Sequence, residues 1–396
     1  MNKKIITDIH LKNKKVIVRL DLNVPIENGI ITSNKRIVAS LTTIKYLIDN
    51  DAKIIILSHF SRIKKQDDLK TKSLKPIALE LERLLNHKVL FIPYTRGVRV
   101  EDAINNMKPK QVIMLENTRF EDLDDKKESK NNSELAKYWA SLADVFINDA
   151  FGTTHREHAS NVGISKFIKE SALGFLIKNE LDRISLLQAP ARPFYAILGG
   201  AKISDKLNVI KKILSKADKV FIVGAMAYTF LKASNYSVGD SLVEDNFLDE
   251  AKALLKNNSD KIFLPIDFAY ASSYADLPRQ ETNDRNIPDG FEGLDIGSKT
   301  IHQLSNSLKD AKTILWNGPA GVSEFSNYSK GTFTIAKTIA NLKDVYSIVG
   351  GGDSISAIEK LNLENKFFYI STGGGSLLQY LEGKPLPGIE WIQEKE

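Results

Sequence analysis

Basic side chains follow apolar runs at several places in the first half of the chain. His59 and Arg62 follow one run, Arg119 another and Arg156 a third, while Arg36 opens a helical pattern. The helix dipole disfavours an arginine at a helix start, so Arg36 needs another reason for its position. Because guanidinium groups bind phosphate and carboxylate bidentately, the set predicts a basic cup for a small, multiply anionic substrate. One such arginine alone would more often form a surface ion pair, so the prediction rests on the set.

A stretch of glycine and lysine, Gly199 to Lys206, lies early in the second half. It follows the apolar run Phe194–Leu198 and precedes a helical pattern, which indicates a strand, a glycine turn and a helix. Such a turn lets the backbone approach a ligand, and a helix N-terminus favours anions. Lys202 and Lys206 are four residues apart and are expected on one helical face, where a polyphosphate would explain them despite the dipole. The stretch matches neither the Walker A loop nor the dinucleotide fingerprint, and a solvated lysine pair is the alternative.

Further glycine-rich turns follow apolar runs in the second half. They are Gly224-Ala225-Met226, Asn317-Gly318-Pro319-Ala320-Gly321, Gly350-Gly351-Gly352-Asp353-Ser354 and Ser371-Thr372-Gly373-Gly374-Gly375-Ser376. Consecutive N–H groups in such turns form nests that bind anions. Asp353 stands at a nest and at a helix start, where a carboxylate together with phosphate oxygens can hold Mg²⁺. A single turn is as often explained by tight packing, but the repetition indicates phosphate binding.

Near-continuous apolar runs alternate with amphipathic helical patterns throughout the chain. This alternation predicts an α/β protein with a buried, doubly wound parallel sheet in each half. Ligands of such sheets bind outside the carboxyl ends of the strands, where the basic and glycine-rich segments lie. The predicted strands are Val16–Leu20, Lys53–Leu57, Val89–Ile92, Gln111–Leu115, Val145–Ile147, Phe194–Leu198, Val220–Val223, Ile262–Leu264, Thr313–Trp316, Ser347–Val349 and Phe368–Ile370.

Length and charge both indicate two domains. The chain has 396 residues, more than one hydrophobic core comfortably serves. A helical pattern from Leu173 to Leu187, followed by Pro190 and Pro193, marks a helix and then a boundary. Residues 1–180 hold 31 Lys and Arg against 23 Asp and Glu, a net charge of +8, whereas the remainder carries −2. The basic half suggests an anionic small ligand or nucleic acid.

Composition indicates the compartment. There is no cysteine, which excludes disulfides and thiolate chemistry and fits a reducing environment. No apolar run approaches the roughly 20 residues of a membrane span, and the N-terminus lacks a secretion signal. We therefore expect a cytoplasmic protein.

Eight motifs, in order, resemble those of the phosphoglycerate kinase family over essentially the whole chain. They read VRLDLNVP, SHFSR, LENTRF, DAFGTTHREHAS, GGAKISDK, LWNGPAGVSEF, GGGDS and STGGGSLLQYLEGKPLPG. The resemblance implies a monomer with two Rossmann-like domains facing across a cleft. Residues 1–171 would bind phosphoglycerate, 172–189 would form a long interdomain helix, 190–376 would bind nucleotide, and the tail 377–396 would return to the first domain. The implied reaction is reversible phosphoryl transfer from 1,3-bisphosphoglycerate to MgADP, giving 3-phosphoglycerate and MgATP in glycolysis.

Site residues follow from the resemblance by matching motif positions. Those implied for phosphoglycerate are Asp21, Asn23, Arg36, His59, Arg62, Arg119 and Arg156. Those implied for the nucleotide are Lys202, Lys206, Gly293, Asn317, Glu324, Gly350, Gly351, Gly352, Asp353 and Ser354. Glu324 would contact the ribose, Gly293 would lie on the adenine side, and Asp353 would bind Mg²⁺.

The chain departs from the family pattern at a few positions. Ser61 and Ile63 stand where glycine and proline are usual, Ala225 replaces one of the glycines before Met226, and Ser323 stands where an aromatic residue is common. The loop after His59 is therefore expected to differ in shape. No charged group is lost, so we expect these departures to affect affinity more than activity.

The implied chemistry needs no general base, because the nucleophile in the ATP-consuming direction is a carboxylate that is ionised at neutral pH. Catalysis would then depend on positioning the two substrates and on neutralising charge in the transition state. We expect Arg36 and Lys206 to stabilise the negative charge of the transferred phosphoryl group. Two alternatives stay open. One is a kinase of this fold that acts on another acyl phosphate; the other is a non-catalytic protein whose basic half binds anions or nucleic acid. The few aromatic residues are not interleaved with the basic ones, which argues against a single-strand stacking surface.

Overall fold

The computed structural model describes residues 2–395, which form two parallel six-stranded sheets with connecting helices. The chain divides into two units: the first holds the residues up to Asp182 and those from Pro385 onward, and the second holds Arg183–Lys384. The predicted α/β class with a parallel sheet in each half is confirmed. All of the predicted strands are present, with ends that agree within two residues.

The sheet of the first unit has the strand order β5-β6-β4-β1-β7-β8. Apolar β-branched residues dominate these strands, whose interior positions are mostly buried, as a sheet covered on both faces requires. The strands are β1 Lys15–Leu20, β2 Ile26–Glu27, β3 Ile30–Ile31, β4 Lys53–Leu57, β5 Val89–Ile92, β6 Val112–Leu115, β7 Val145–Asp149 and β8 Glu170–Leu173. The helices are α1 Lys35–Asp49, α2 Asp68–Thr71, α3 Lys75–Leu85, α4 Val98–Asn105, α5 Ser133–Ser141, α6 Ile164–Phe167 and α7 Phe175–Ile184.

The sheet of the second unit has the strand order β11-β10-β9-β15-β16-β17. Its core includes Trp316, which is fully buried on the central strand β15. The strands of this unit are β9 Phe194–Leu198, β10 Lys219–Ile222, β11 Ile262–Phe263, β12 Phe268–Ala271, β13 Gln280–Glu281, β14 Glu292–Ile296, β15 Thr313–Asn317, β16 Tyr346–Gly350 and β17 Tyr369–Ile370. Its helices are α8 Leu207–Leu214, α9 Met226–Ala233, α10 Leu248–Asn257, α11 Ser298–Ser307, α12 Lys330–Ala340, α13 Gly352–Lys360 and α14 Gly375–Leu381.

The second unit also contains a small antiparallel sheet of order β13-β12-β14 that the sequence did not predict. Its strands are short and interrupted by glycine and polar residues, so they lack the continuous apolar runs that marked the parallel strands. The hairpin of β2 and β3 and the edge strand β8 were also not predicted.

Two helix starts differ from the expectation. Helix α8 begins at Leu207, so Lys202 and Lys206 precede it and do not share a helical face. The N–H group of Lys206 closes a turn on Ile203, and its backbone is not helical. Leu173 ends strand β8 opposite Asn148 instead of opening the helix, which begins at Phe175. A turn precedes α8, whereas Gly174 alone separates β8 from α7, and apolar periodicity marks neither helix start.

The segment from Pro385 onward packs on the first unit. It contains a short helix, α15 (Pro387–Glu390). The N–H group of Gly388 donates to the carbonyl of Thr154 at 2.9 Å, and the N–H group of Lys4 donates to that of Gln393 at 2.8 Å. The end of the chain therefore completes the unit with which the chain began.

Within residues 2–395, none of the helices combines the length and the apolar content that crossing a membrane requires.

Candidate functional site

The basic cup lies at the carboxyl ends of neighbouring strands in the first unit. We use that name for Asp21, Asn23, Arg36, His59, Arg62, Arg119 and Arg156. Strand β1 lies between β4 and β7, and β6 lies beyond β4, so the segments that follow these four strands share one edge of the sheet. Parallel pairing thus brings together residues that are more than 130 positions apart in the sequence.

Asp21 is the acidic centre of the cup. A guanidinium nitrogen of Arg36 donates to Oδ2 of Asp21, and Nδ1 of His59 lies 3.9 Å from its other oxygen. Burial alone would raise the pKa of Asp21, but His59, Arg36 and Arg19 lower it overall. Burial lowers the pKa of His59 to about 3, so His59 is neutral at physiological pH. The positive charges that lower the pKa of Asp21 at that pH are therefore those of Arg36 and Arg19.

Arg62, Arg119 and Arg156 lie close enough to influence one another. Burial lowers the pKa of Arg156, and the positive charges of Arg119 and Arg62 lower it further. Arg119 is buried and donates to Asp122 at 2.9 Å, whereas Arg62 is exposed. Several like charges held together in this way would be stabilised by an anion between them.

The loop after His59 carries Ser61 and Ile63, which the sequence analysis marked as departures from the family pattern. Ser61 adopts a φ of 55°, in the left-handed region that favours the glycine usual there. The N–H group of Ser61 donates to Oδ1 of Asn23 at 2.9 Å, so this strained residue ties the loop to the segment after β1. Ile63 is buried.

A second layer beneath the cup was missed by the sequence analysis. Arg19, Glu128 and Ser160 are fully buried, and His158 is nearly so. Arg19 sits inside the apolar run of β1, and a charged residue at such a position is a signal that could have been used.

Three glycine-rich turns meet in the second unit. Lys206 donates to the carbonyl of Asn317 at 2.8 Å and to that of Gly199, and the Gly199 N–H group also donates to Asn317 at 3.0 Å. The hydroxyl of Ser354 accepts from the Gly318 N–H group at 2.9 Å. Gly318 has a φ of 101°, and a Cβ atom there would lie 2.3 Å from the backbone carbonyl oxygen of Gly199. Close approach of these turns therefore requires glycine at this position.

Lys206 is the most perturbed cation of this region. Burial lowers the pKa of Lys206 to about 8, while Asp353 and Asp205 act in the opposite direction. An ammonium group that has lost much of its water and bonds only to carbonyl oxygens gains strongly from a phosphate neighbour.

A cavity of about 410 Å³ opens beside these turns. A Cβ atom on Gly293 would lie 2.3 Å from the Tyr228 hydroxyl, so glycine at this position lets the two residues pack against each other in the cavity wall. The largely apolar lining and the volume suit a planar heterocycle with a sugar. The lining residues are Gly200, Ala201, Gly224, Ala225, Tyr228, Leu242, Tyr274, Glu292, Gly293, Leu294, Pro319, Ala320, Gly321, Val322, Glu324 and Asp353.

Three of the residues implied for the nucleotide line this cavity: Gly293, Glu324 and Asp353. The adjacent turns carry Lys206, Asn317, Gly350, Gly351, Gly352 and Ser354, whereas Lys202 is exposed next to Glu244. Ser354 is buried against Gly318, and its hydroxyl supports the turn. The sequence analysis missed Tyr228, Leu242 and Tyr274, whose apolar or aromatic character was indistinguishable from that of core residues.

The residues present fit a magnesium ion that is shared with a ligand. Within residues 2–395, no group of three or more His, Asp or Glu residues is placed to hold a metal. Asp353 is exposed in the first turn of α13, on the cavity wall, and acts electrostatically on Lys206. Mg²⁺ commonly binds one or two carboxylates together with substrate phosphates, and Asp353 supplies such a carboxylate.

Comparison with known proteins identifies the relatives of this chain. The family model described as phosphoglycerate kinase matches residues 6–384. A phosphoglycerate kinase of Mesomycoplasma hyopneumoniae is 55% identical over 398 residues, covering 100% of this chain and 98% of the relative. One of Enterococcus faecalis is 54% identical over 397 residues, covering 100% of both.

Solved structures agree with these relatives. The phosphoglycerate kinase of Coxiella burnetii matches with a TM-score of 0.86 and 37% identity, and that of Pyrococcus horikoshii OT3 with a TM-score of 0.85 and 30% identity. Each match covers 98% of both chains. None of these matches favours the two alternatives, a kinase that acts on another acyl phosphate and a non-catalytic binding protein. The chain therefore belongs to the phosphoglycerate kinase family, whose members transfer a phosphoryl group reversibly between 1,3-bisphosphoglycerate and ADP.

Proposed function

We propose that the basic cup binds 3-phosphoglycerate or 1,3-bisphosphoglycerate and that the cavity beside Lys206 binds ADP or ATP. The observation that carries the first assignment is the clustering of Arg62, Arg119 and Arg156, whose mutual repulsion an anionic substrate would relieve. The second assignment is supported by the volume of the cavity and by its position next to the glycine-rich turns.

Within the cup, the arginines would form charge-assisted hydrogen bonds to the phosphate and carboxylate oxygens of the substrate. Asp21 and Asn23, the acceptors of the cup, suit the glycerate hydroxyl. In the cavity, Glu324 would accept from a ribose hydroxyl, and Gly293 would let the base approach the wall. Lys202, Asn317 and the N–H groups of Gly350, Gly351 and Gly352 would contact the phosphates, with Ser354 holding the turn.

In the ATP-consuming direction, a carboxylate oxygen of 3-phosphoglycerate forms a bond to the γ-phosphorus, and the bond from that phosphorus to the β–γ bridging oxygen breaks. No proton moves, because both the nucleophile and the leaving group are anions. Arg36 and Lys206 would stabilise the charge on the transferred group. When bound, Mg²⁺ would be held by Asp353 and would neutralise phosphate charge.

Replacing Arg36 tests the reaction and the cup together. We expect Arg36→Ala to lower kcat by about 100-fold or more in a coupled assay of ATP formation, because charge stabilisation in the transition state is lost. The matched control is Arg83→Ala in the same unit, since Arg83 also pairs with a carboxylate but is more exposed than Arg36 and is not one of the cup residues. An unchanged kcat in Arg36→Ala would remove Arg36 from the catalytic role.

Phosphoryl transfer also requires that the two ligands become adjacent, and we propose that binding of both ligands moves the two units. Helix α7 is the candidate hinge, because the division between the units falls within it, after Asp182. We expect X-ray scattering to show a smaller radius of gyration with 3-phosphoglycerate and an ATP analogue together than with either alone. Identical curves would contradict the motion.

The proposed ligands are small molecules, and the family resemblance implies a monomer. We therefore propose that the protein acts as a monomer in the cytoplasm, where glycolytic intermediates and adenine nucleotides are found. Neither nucleic acid nor a membrane is required for this activity.

A further inference from the structure

A chain of buried polar groups runs beneath the basic cup to His59. Nε of Arg19 donates to Oγ of Ser160 at 2.8 Å, and the Ser160 N–H group donates to Glu128 at 2.9 Å. A terminal nitrogen of Arg19 lies 3.3 Å from Nδ1 of His59. Arg19, Ser160 and Glu128 are each fully buried, and we call these three residues the Arg19 chain.

The direction of hydrogen bonding within this chain is determined by arginine. A guanidinium group has only N–H donors, so Nδ1 of His59 must accept from Arg19. The Ser160 hydroxyl accepts from Arg19 and donates its single hydrogen to Glu128. A neutral imidazole that accepts at Nδ1 carries its proton at Nε2. Within residues 2–395, Nε2 of His59 has no protein hydrogen-bond partner, and its N–H group is therefore free to meet a ligand.

Burial, supported by neighbouring arginines, keeps His59 neutral. Burial lowers the pKa of His59 to about 3, and Arg19, Arg119 and Arg156 act in the same direction. Asp21 acts in the opposite direction but shares its charge with Arg36. His158, the remaining titratable group that faces His59, is itself neutral because burial lowers its pKa to about 2.

We propose that Arg19, held by Ser160 and Glu128, is a positioning residue that fixes His59 as the neutral tautomer with its proton on Nε2. This inference rests on the proposed function, in which His59 contacts the phosphoglycerate. His59 then offers the substrate one directed N–H donor, and the arginines supply the positive charge. Because His59 does not titrate near neutrality, it adds no pH dependence to phosphoglycerate binding between about pH 5.5 and 8.

Nuclear magnetic resonance of the full chain labelled with ¹⁵N-histidine tests the tautomer without any substrate. The chain has six histidines, and the His59 signals are identified by their loss in His59→Gln. We expect a pyridine-like shift at Nδ1 and a pyrrole-like shift at Nε2, both constant from pH 8 to pH 5.5. The opposite tautomer, or protonation of His59 with an ordinary midpoint, would overturn the proposal, and both are read on the parent chain.

Variants separate positioning from packing. Arg19→Lys keeps the positive charge but loses the planar guanidinium group, whose separate nitrogens reach Ser160 and His59. Ser160→Ala removes the hydroxyl that accepts from Arg19. We expect both to disturb the two nitrogen shifts of His59 and to raise the KM for 3-phosphoglycerate by about tenfold, with the KM for ATP unchanged. Ser165→Ala is the matched control, because Ser165 is also buried in this segment but bonds only to the Asn161 carbonyl. It should leave the shifts and both KM values as in the parent.

Failure of this inference can be told apart from failure of the proposed function. If the parent turns over 3-phosphoglycerate but His59 shows the other tautomer, the Arg19 chain is structural and the proposal is wrong. If the tautomer is as expected but the parent shows no turnover, the proposed function fails and the role of His59 toward phosphoglycerate fails with it. Unchanged shifts in both Arg19→Lys and Ser160→Ala would show that Arg19 does not position His59.

Discussion

At the residue scale, the basic cup and the glycine-rich turns, the two proposed binding regions, each contain a cation whose positive charge is disfavoured by its surroundings. Burial lowers the pKa of Lys206 to about 8, and burial together with neighbouring arginines lowers the pKa of Arg156. Such groups are poorly stabilised alone and gain when a phosphate or carboxylate replaces the missing counter-charge. Ligand affinity here is therefore coupled to proton binding, most strongly at Lys206, whose pKa lies nearest to neutrality.

The coupling at Lys206 predicts how nucleotide binding depends on pH. Above about pH 8 the free protein loses the Lys206 proton, whereas bound phosphate favours the charged form. We expect the Kd for ADP to rise with pH above 8, by at most about tenfold per pH unit for one proton. Isothermal titration calorimetry in buffers of different ionisation enthalpy measures both Kd and proton uptake.

Lys206→Arg is the control for this pH dependence, because arginine stays charged throughout the range. Its Kd for ADP should be flat between pH 7 and 10, whatever its absolute value. Equal slopes in the parent and in Lys206→Arg would assign the titration to another group.

At the element scale, helix α7 is capped from another part of the chain. Oδ1 of Asp149, at the end of β7, accepts from the N–H groups of Leu176 and Ile177 at 2.9 and 3.1 Å. A Cβ atom on Gly174 would lie 2.2 Å from the same oxygen, so glycine is required beside the cap. The candidate hinge is thus anchored to the sheet that carries the basic cup.

Removing this cap should destabilise the first unit. We expect Asp149→Ala to lower the free energy of unfolding by about 1–3 kcal/mol, because two N–H groups lose their buried acceptor. Asp149→Asn keeps an acceptor and should lose less, and Asp182→Ala on the exposed side of α7 is the control. Urea unfolding measures all three, and equal stability of Asp149→Ala and the parent would contradict the capping role.

The carboxyl group of Asp149 also makes the free energy of unfolding depend on pH. Burial raises the pKa of Asp149 to about 6, above its ordinary value of 3.8. The folded state therefore binds this proton more tightly than the unfolded state, and the group favours folding more as the pH falls from about 6 to 4. Asp149→Asn lacks this proton, so the parent should gain stability relative to Asp149→Asn over that range.

At the scale of the whole molecule, the chain leaves the first unit after Asp182 and returns to it at Pro385. The returning segment contacts the loop that carries Arg156 of the basic cup. The N–H group of Gly388 donates to the carbonyl of Thr154, two residues before Arg156, and the carbonyl of Gly388 accepts from the Asn148 side chain at 2.8 Å. The loop that carries Arg156, for which we propose substrate binding, is therefore held in part by the segment from Pro385 onward.

Ending the chain after Lys384 should weaken phosphoglycerate binding selectively. We expect the Kd for 3-phosphoglycerate to rise by about tenfold or more while the Kd for ADP changes little, because the returning segment belongs to the first unit. Calorimetry with each ligand measures this difference. Glu390→Ala, an exposed change in the same segment, should leave both affinities unchanged, and equal losses for the two ligands would argue for general unfolding.

The sequence alone was sufficient for the α/β class, for most of the parallel strands and for the segments that the strand ends bring together. These features depend on local periodicity and on residue types after each strand, which are present in the chain itself. It was not sufficient for the start of α8, the antiparallel sheet or the edge strand β8, because tight turns and short strands leave no periodic apolar signal.

The tertiary structure decided which distant groups meet. Sheet pairing places Arg19 beneath His59, folding aims Asp149 at α7, and the glycine-rich turns bring Lys206 onto the Asn317 carbonyl. Each contact joins residues 27 to 111 positions apart. The protonation of His59 and Lys206 follows from desolvation and neighbouring charge, which exist only once the chain has folded around them.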